Sequence, residues 1–310
     1  GNLGNILDQD ASQLEILELT SPSLTCADYQ RVRKFLGDSA VEIECTFNAD
    51  NAGEAELREA VYRIQREAED AVRGGAMHLV LTDQGMGDKR AAIPMILAAA
   101  AVHTHLVNTQ LRTFTSIGVR TGECFDVHYY AVLIGVGATC VNAYLAEEVI
   151  GDRHRRGLFG DITLEQAVAN YQKSVSDGLL KIISKMGISI ISSYRGGYNF
   201  EAVGLSRSLV AEFMPGLPSR ISGIGLSGIQ AQVLRQHQRA FDDDFLALPV
   251  GGFYRYRRGG ESHAWEGDLI HTLQTAVAGD SYSIYRRYAE GIRALPPVNL
   301  RDLMDFDYSG

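Results

Sequence analysis

The residues of this chain best suited to chemistry are Lys181, Lys185 and the run Tyr194-Arg195-Gly196-Gly197. A lysine at a barrel strand can form a Schiff base, or act as a base where desolvation lowers its pKa. An arginine beside glycines can cradle a phosphate or carboxylate, because guanidinium and bare backbone N–H groups converge on the anion. Each also has a structural reading. Lys185 stands just before Gly187, where a cation favours a helix C-terminus and glycine is the usual stop. That reading outweighs the catalytic one. Arg195 can instead bond carbonyls of a turn or pair with Glu201, and there the structural reading is narrowly ahead.

The formal G-x-G-x-x-G at Gly223 to Gly228 would hold a dinucleotide only after a buried strand, so that pyrophosphate meets a helix N-terminus. Pro218-Ser-Arg220-Ile-Ser precedes it and is no such strand, so a turn opening a helix at Ser227 is expected. His103 and His105 are two apart on a helix, point to different sides, and cannot clamp one ion. Cys124 and His128 are better spaced but lack a second close pair. His78 lies within an apolar run and reads as a hydrogen-bonded core residue. There is no G-x-S-x-G elbow and no Walker pattern.

Short β-like runs alternate with longer helical ones. The strand-like runs are Val41 to Phe47, Ala76 to Thr82, Thr113 to Val119, Ala138 to Val141 and Ile188 to Ile191. Between them lie helical patterns at Glu54 to Val72, Ala91 to Val107 (starting near Pro94), Asp126 to Leu133 and Asn142 to Ile150. Thr163 and Gln166 sign a capping box, opening a helix with Leu164, Ala167, Tyr171, Val175 and Leu179 on one face. Further helices are expected near Ser227 to Phe241, Asp268 to Ala278 and Ser281 to Ala294. Strands alternating with helices predict a parallel α/β arrangement. About five strands where a closed barrel wants eight predict a partial or degenerate TIM-barrel-like fold with a helical C-terminal extension. We expect one domain over 1–310, with a lead-in at 1–40, a βα core at 41–205 and an extension at 206–310.

Composition narrows the function classes. Of 310 residues, 45% are hydrophobic and 22% charged, enough for a sizeable core. A net charge of −9, with basic residues interleaved among acids, argues against nucleic acid or an anionic membrane surface. Cys26, Cys45, Cys124 and Cys140 lie far apart and read as reduced thiols of a cytosol-like compartment. The longest apolar run, Ala91 to Val102, is too short to span a bilayer. The opening GNLGNILDQD has neither a signal-peptide pattern nor an initiator Met, so a piece of a longer polypeptide is expected.

Taken together, several segments resemble the glutamate synthase large (α) subunit. The strongest are Ser184-Lys-Met-Gly-Ile-Ser189, Ser193-Tyr-Arg-Gly196 and Phe200-Glu-Ala-Val-Gly-Leu205. Leu81-Thr-Asp-Gln-Gly85, Ala101-Val-His103, Thr121-Gly-Glu123, Val127-His128 and Val141-Asn142 agree in order, as does the stretch from Arg257 to Trp265. Two departures stand out: Ala143 replaces the family's usual proline, and Gly197-Tyr198-Asn199 replaces a more usual AQI. The resemblance points to the central domain, between an amidotransferase domain and a synthase barrel holding FMN and an iron–sulfur cluster. It implies a non-catalytic connector in an oxidoreductase of ammonia assimilation, which makes glutamate from glutamine, 2-oxoglutarate and a reductant. The connector would contribute to an ammonia tunnel, and the isolated piece would be inactive.

Implied partners are the two neighbouring domains and either a small NADPH-oxidising subunit or ferredoxin. The implied setting is bacterial cytoplasm or plastid stroma. The family's nucleophilic cysteine at the mature N-terminus and its clustered cysteines are absent, so no catalytic, cofactor-binding or metal-binding residue carries over. Barrel logic places function at the C-terminal strand ends. The expected tunnel or interdomain face is therefore Thr82, Asp83, Gln84 and Gly85 with Ser193, Tyr194, Arg195 and Gly196. The alternative is an autonomous FMN-dependent barrel oxidoreductase with Lys185 as base and the Arg195 loop on phosphate.

Overall fold

The computed structural model describes residues 17–50, 52–53, 55–244 and 248–307. Thr25 caps α1 (Cys26–Leu36), its hydroxyl oxygen accepting the Asp28 N–H at 3.0 Å. Next come β1 (Ala40–Glu44), a short β2 (Thr46–Asn48) and α2 (Glu56–Arg73). Strand β3 (His78–Thr82) runs through β4 (Arg90–Ala92) into α3 (Met95–Asn108), with Pro94 at the N-cap. Then β5 (Ser116–Arg120), α4 (Val127–Gly135), β6 (Cys140–Asn142) and α5 (Tyr144–Arg155) complete the alternation.

The main sheet has the order β1-β3-β5-β6, and every pairing in it is parallel. Its four strands do not close into a barrel. Register aligns Ile43, Leu81, Val119 and Val141 in one row and Leu79 with Ile117 in another. These residues are all buried in the core shared with α2, α3 and α4. Helix α2 earns its place by period: Leu57, Val61, Ile64, Ala68 and Val72 are buried along one stripe. Each such large side chain stabilises the fold by about 1.5–3 kcal/mol through burial. The first turn of α2 is capped from afar, because Gln230 Oε1 accepts the Leu57 N–H at 2.8 Å while Gln230 Nε2 donates to Gly53 O at 2.7 Å. In α3 the run Ala98 to Ala101 is fully buried, its small side chains allowing close packing.

The other face of the sheet carries a different set. One row holds Glu42, Val80, Gly118 and Cys140; the next holds Glu44, Thr82, Arg120 and Asn142. Helix α1 covers part of this face. Tyr29 donates its hydroxyl to Glu42 at 2.8 Å, and the Arg120 guanidinium lies 4.6 Å from the Tyr29 ring centroid.

Helix α6 (Leu164–Lys185) opens at Thr163, which accepts the Gln166 N–H at 3.2 Å, so half of the expected capping box forms. Ala167, Val175, Leu179 and Ile183 are buried, whereas Leu164 is exposed. Ile188 to Ile191 is not a strand. Gly187, at φ +70°, stops α6, and the Ile188 N–H closes onto Ile183 O at 3.2 Å. Ile191–Tyr194 then forms the one-turn helix α7. Its β-branched run lacks a neighbouring strand to pair with, and Ile190 is exposed. After it come β7 (Val203–Leu205), α8 (Arg207–Phe213), β8 (Ile221–Ile224) and α9 (Leu226–Ala240). The segment before Gly225 is therefore a strand after all, but it is exposed and pairs only with β7, among the described residues. It is no buried platform for a dinucleotide, and α9 starts at Leu226, beside the expected Ser227.

Contacts divide the chain into two units, residues 1–241 and 242–310. In the second, α10 (Gly267–Ala278) and α11 (Tyr282–Ala294) form a helical hairpin, where Ser281 caps α11. Among the described residues no helix is long and apolar enough to cross a membrane.

Candidate functional site

The C-terminal strand ends converge on Asp83. Immediately after β3, its buried carboxylate accepts the Thr121 hydroxyl at 2.6 Å, the Gly122 N–H at 3.0 Å and the Tyr144 hydroxyl at 3.0 Å. One side chain thus ties together the loops leaving β3, β5 and β6. Gln84 is exposed, and its N–H donates to Thr82 Oγ1 at 3.3 Å. Gly85 donates its N–H to Glu44 Oε1 at 3.2 Å, and a Cβ there would stand 2.5 Å from the Glu44 carboxyl group. Arg120 lies between Tyr29 and Tyr144, 5.7 Å from the second ring centroid. Its Nε has no hydrogen-bond partner among the described residues, and its guanidinium lies against both π faces.

Glu123 sits behind this rim, accepting the Met95 N–H at 2.8 Å and a very short bond from the Tyr129 hydroxyl. Burial raises its carboxyl above the usual carboxylate range, against the pull of those two bonds. The folded state therefore binds this proton more tightly than the unfolded one. The resulting stability is fully present below about pH 4.3, the ordinary glutamate value, and is lost as pH rises through the higher folded value. Glu123→Gln is expected to remove that slope while keeping a carbonyl acceptor. Urea midpoints of variant and parent across pH 4 to 7 (an approximate span set by that linkage) should draw apart in the variant's favour as pH rises. A constant gap would contradict it.

The second half of the expected face lies elsewhere. The Gly196 N–H donates to Ile134 O at 3.1 Å and the Tyr198 N–H to Gly135 O at 3.2 Å, anchoring this loop to the end of α4. A Cβ on Gly196 would lie 3.1 Å from the His103 ring. His103 in turn accepts from Arg112, which also binds Thr115 O, just before β5. Ser193, Tyr194, Arg195 and Gly196 therefore border the N-terminal ends of the strands, opposite to Thr82–Gly85. Tyr194 is buried and Ser193 and Arg195 are exposed. Glu201 stands 3.7 Å from Arg220, and no ion pair to Arg195 is recorded for it.

Lys185 is exposed at the end of α6, as its helix-stop reading expects, and not at a strand. That removes the geometry the autonomous-barrel alternative required. His103 and His105 do point apart, the latter bonding Glu69 at 2.7 Å. His78 bonds Ser116 Oγ at 2.6 Å but lines a cavity rather than the core. The rim residues Tyr29, Arg120, Glu123 and Tyr144 are not among the expected site residues. For Glu123 a signal existed, since it ends the Thr121-Gly-Glu123 run directly after a strand.

An iron–sulfur cluster does not fit these residues. The four cysteines are free, and no group of three or more His, Cys, Asp or Glu among the described residues is set to hold a metal. Burial pushes the thiols of Cys45, Cys124 and Cys140 up, away from the thiolate a cluster needs.

Residues 1–206 match the family model of the glutamate synthase central domain. The chain belongs to that family. It is 61% identical over 305 residues to the glutamate synthase [NADPH] large chain of Azospirillum brasilense, covering 98% of this chain and 20% of that protein. It is 34% identical to the corresponding large chain of Bacillus subtilis and 35% identical to the ferredoxin-dependent glutamate synthase 1 of Arabidopsis thaliana. Each match covers 99% of this chain and 20% of the relative. This glutamate synthase central domain thus spans about 20% of the length of those relatives.

Proposed function

We propose that this chain is the connecting centre of a glutamate synthase, and that it does not itself catalyse. It holds a glutaminase part and a flavin-dependent synthase part at fixed separation, and Thr82, Asp83, Gln84 and Gly85 contribute to the wall along which ammonia passes. The overall reaction converts glutamine, 2-oxoglutarate and a reductant into glutamate, with FMN and the iron–sulfur cluster held by the neighbouring part. Identity of 61% to an NADPH-type relative favours a small NADPH-oxidising subunit over ferredoxin as partner.

The C-terminal rim carries this reading. Its polar groups are engaged with one another around Asp83. Each of the three connections that leave the sheet there exposes a large apolar side chain: Met86 at 47% and Phe125 at 67% in the loops after β3 and β5, and Leu145 at 43% in the first turn of α5. Exposed apolar groups clustered at one end of a sheet suit packing against another domain. Successive βα units with helices on one face also support kinship with a barrel that never closes.

Phe125→Asp in the intact polypeptide tests the reading. Phe125 is exposed, so the fold should tolerate the change. Glutamine hydrolysis should persist while 2-oxoglutarate consumed per glutamine hydrolysed falls about twofold or more, the shortfall released as ammonia; a twofold change corresponds to only about 0.4 kcal/mol. A variant with unaltered coupling would count against the rim as an interdomain face.

A further inference from the structure

A cavity of about 1210 Å³ lies against the second face of the sheet, beside Val80, Gly118 and Cys140. The chain as a whole is acidic, with 38 Asp and Glu against 29 Lys and Arg. The cavity inverts that balance. Its described lining contains Arg33, Arg112, Arg195, His78 and His103, and not one aspartate or glutamate.

Arg33 is paired with Glu42 at 3.2 Å. Arg112 and Arg195 make no ion pair among the described residues. Arg112 is held in place without a counter-ion. Its Nε donates to His103 Nδ1 at 2.9 Å, and its terminal nitrogens donate to Thr115 O at 2.6 Å and Gly137 O at 2.8 Å. Three of the five guanidinium N–H groups are used, leaving two for something else. With Nδ1 accepting, the His103 proton belongs on Nε2. Burial, then the charges of Arg112 and Arg195, push this imidazole down to about 4, so at neutral pH it is a neutral prop. Burial, then Arg195, lower Arg112 to about 10. Two like charges share a partly dry site, a cost that an anion would relieve.

Apolar lining comes from α1. Val32, Phe35 and Leu36 of that helix line the cavity with Val80, beside the paired Arg33, and Phe35 is 75% exposed. A guanidinium pair and an apolar trough define an amphipathic ligand, and the volume, somewhat above the usual ~300–1,000 Å³ of small-molecule sites, admits one of ordinary metabolite size.

We propose that this cavity binds a small organic anion, with a carboxylate or phosphate head between Arg112 and Arg195 and an apolar body along α1 and Val80. The inference does not rest on the connector reading, because it uses the opposite end of the sheet from Asp83.

Calorimetric titration of the intact polypeptide at neutral pH, with octanoate, octyl phosphate and octanol as probes, tests it. At least one charged probe should bind about tenfold or more tightly than octanol, the equivalent of 1.4 kcal/mol. The tighter of the two identifies the head group. R195Q removes an exposed guanidinium that makes no side-chain hydrogen bond among the described residues, so the fold should survive. It should weaken the charged probe about tenfold and leave octanol unchanged, and R195K should recover part of the loss. The difference between parent and R195Q separates this site from any other anion site in the polypeptide. Absence of binding, equal binding of octanol, or indifference to R195Q would each overturn the proposal.

Discussion

Asp83→Ala is expected to cost about 3 kcal/mol of stability in residues 1–241, because it strands several buried donors at once. The Thr121 hydroxyl, the Gly122 N–H and the Tyr144 hydroxyl all lose their acceptor. Thr121 is fully buried, so water cannot readily replace the carboxylate there. For a unit of this size the loss corresponds to a fall in melting temperature of about 6–12 °C. Asp83→Asn should fall between parent and alanine, since it keeps one oxygen but turns an NH2 group toward groups that are themselves donors. Tyr144→Phe removes one bond at a half-buried position and should cost only about 1 kcal/mol. The readout must be chosen with care: the single tryptophan, Trp265, belongs to residues 242–310, so its fluorescence reports the other unit. Far-UV circular dichroism, or amide exchange in β3 and β5, follows the right one. An alanine variant that melts within about 1 °C of the parent would show that Asp83 is not the knot of the rim.

Why Asp83 was legible in the sequence and its partners were not follows from the range of each interaction. The run ending at Thr82 is apolar and bounded by Asp83 and Gly85, so both the strand and its end can be read locally. Helix α2 is equally plain, because its buried residues recur at helical spacing. Helix α1 went unread. Only Tyr29 in it is buried, and its one strong local mark is the cap between Thr25 and Asp28. The Ile188–Ile191 run shows the opposite failure. β-Branched residues look like a strand wherever they fall, but a strand exists only when another lies beside it to share hydrogen bonds. Without that strand the Arg195 loop lies at the N-terminal end of the sheet and not at the C-terminal end that barrel logic expects. Its true neighbours, His103 and Ile134, are about 90 and 60 residues away, beyond the reach of any periodicity.

Gly137→Ala should be about as damaging as loss of Asp83, through backbone strain together with a collision against His103. Gly137 follows α4 with φ at +122°, a conformation that a residue with a side chain rarely adopts. A Cβ there would stand 2.3 Å from His103 Nδ1 and 2.4 Å from its Cγ, inside any allowed contact. Strain of about 1–3 kcal/mol at such a φ adds to about 1–3 kcal/mol for overpacking, giving about 2–6 kcal/mol in total. The damage should spread, because Gly137 O accepts from Arg112 and His103 accepts from the same guanidinium. Displacing either shifts the anchor of the cavity's half-buried cation Arg112. A double-mutant cycle separates the two contributions. His103→Ala alone should destabilise by removing a half-buried prop, yet in the Gly137→Ala background it should restore about 1 kcal/mol or more by vacating the space the new methyl needs. The backbone part of the penalty should remain. Strictly additive losses would mean that the collision with His103 is relieved some other way and that φ strain alone makes this glycine necessary.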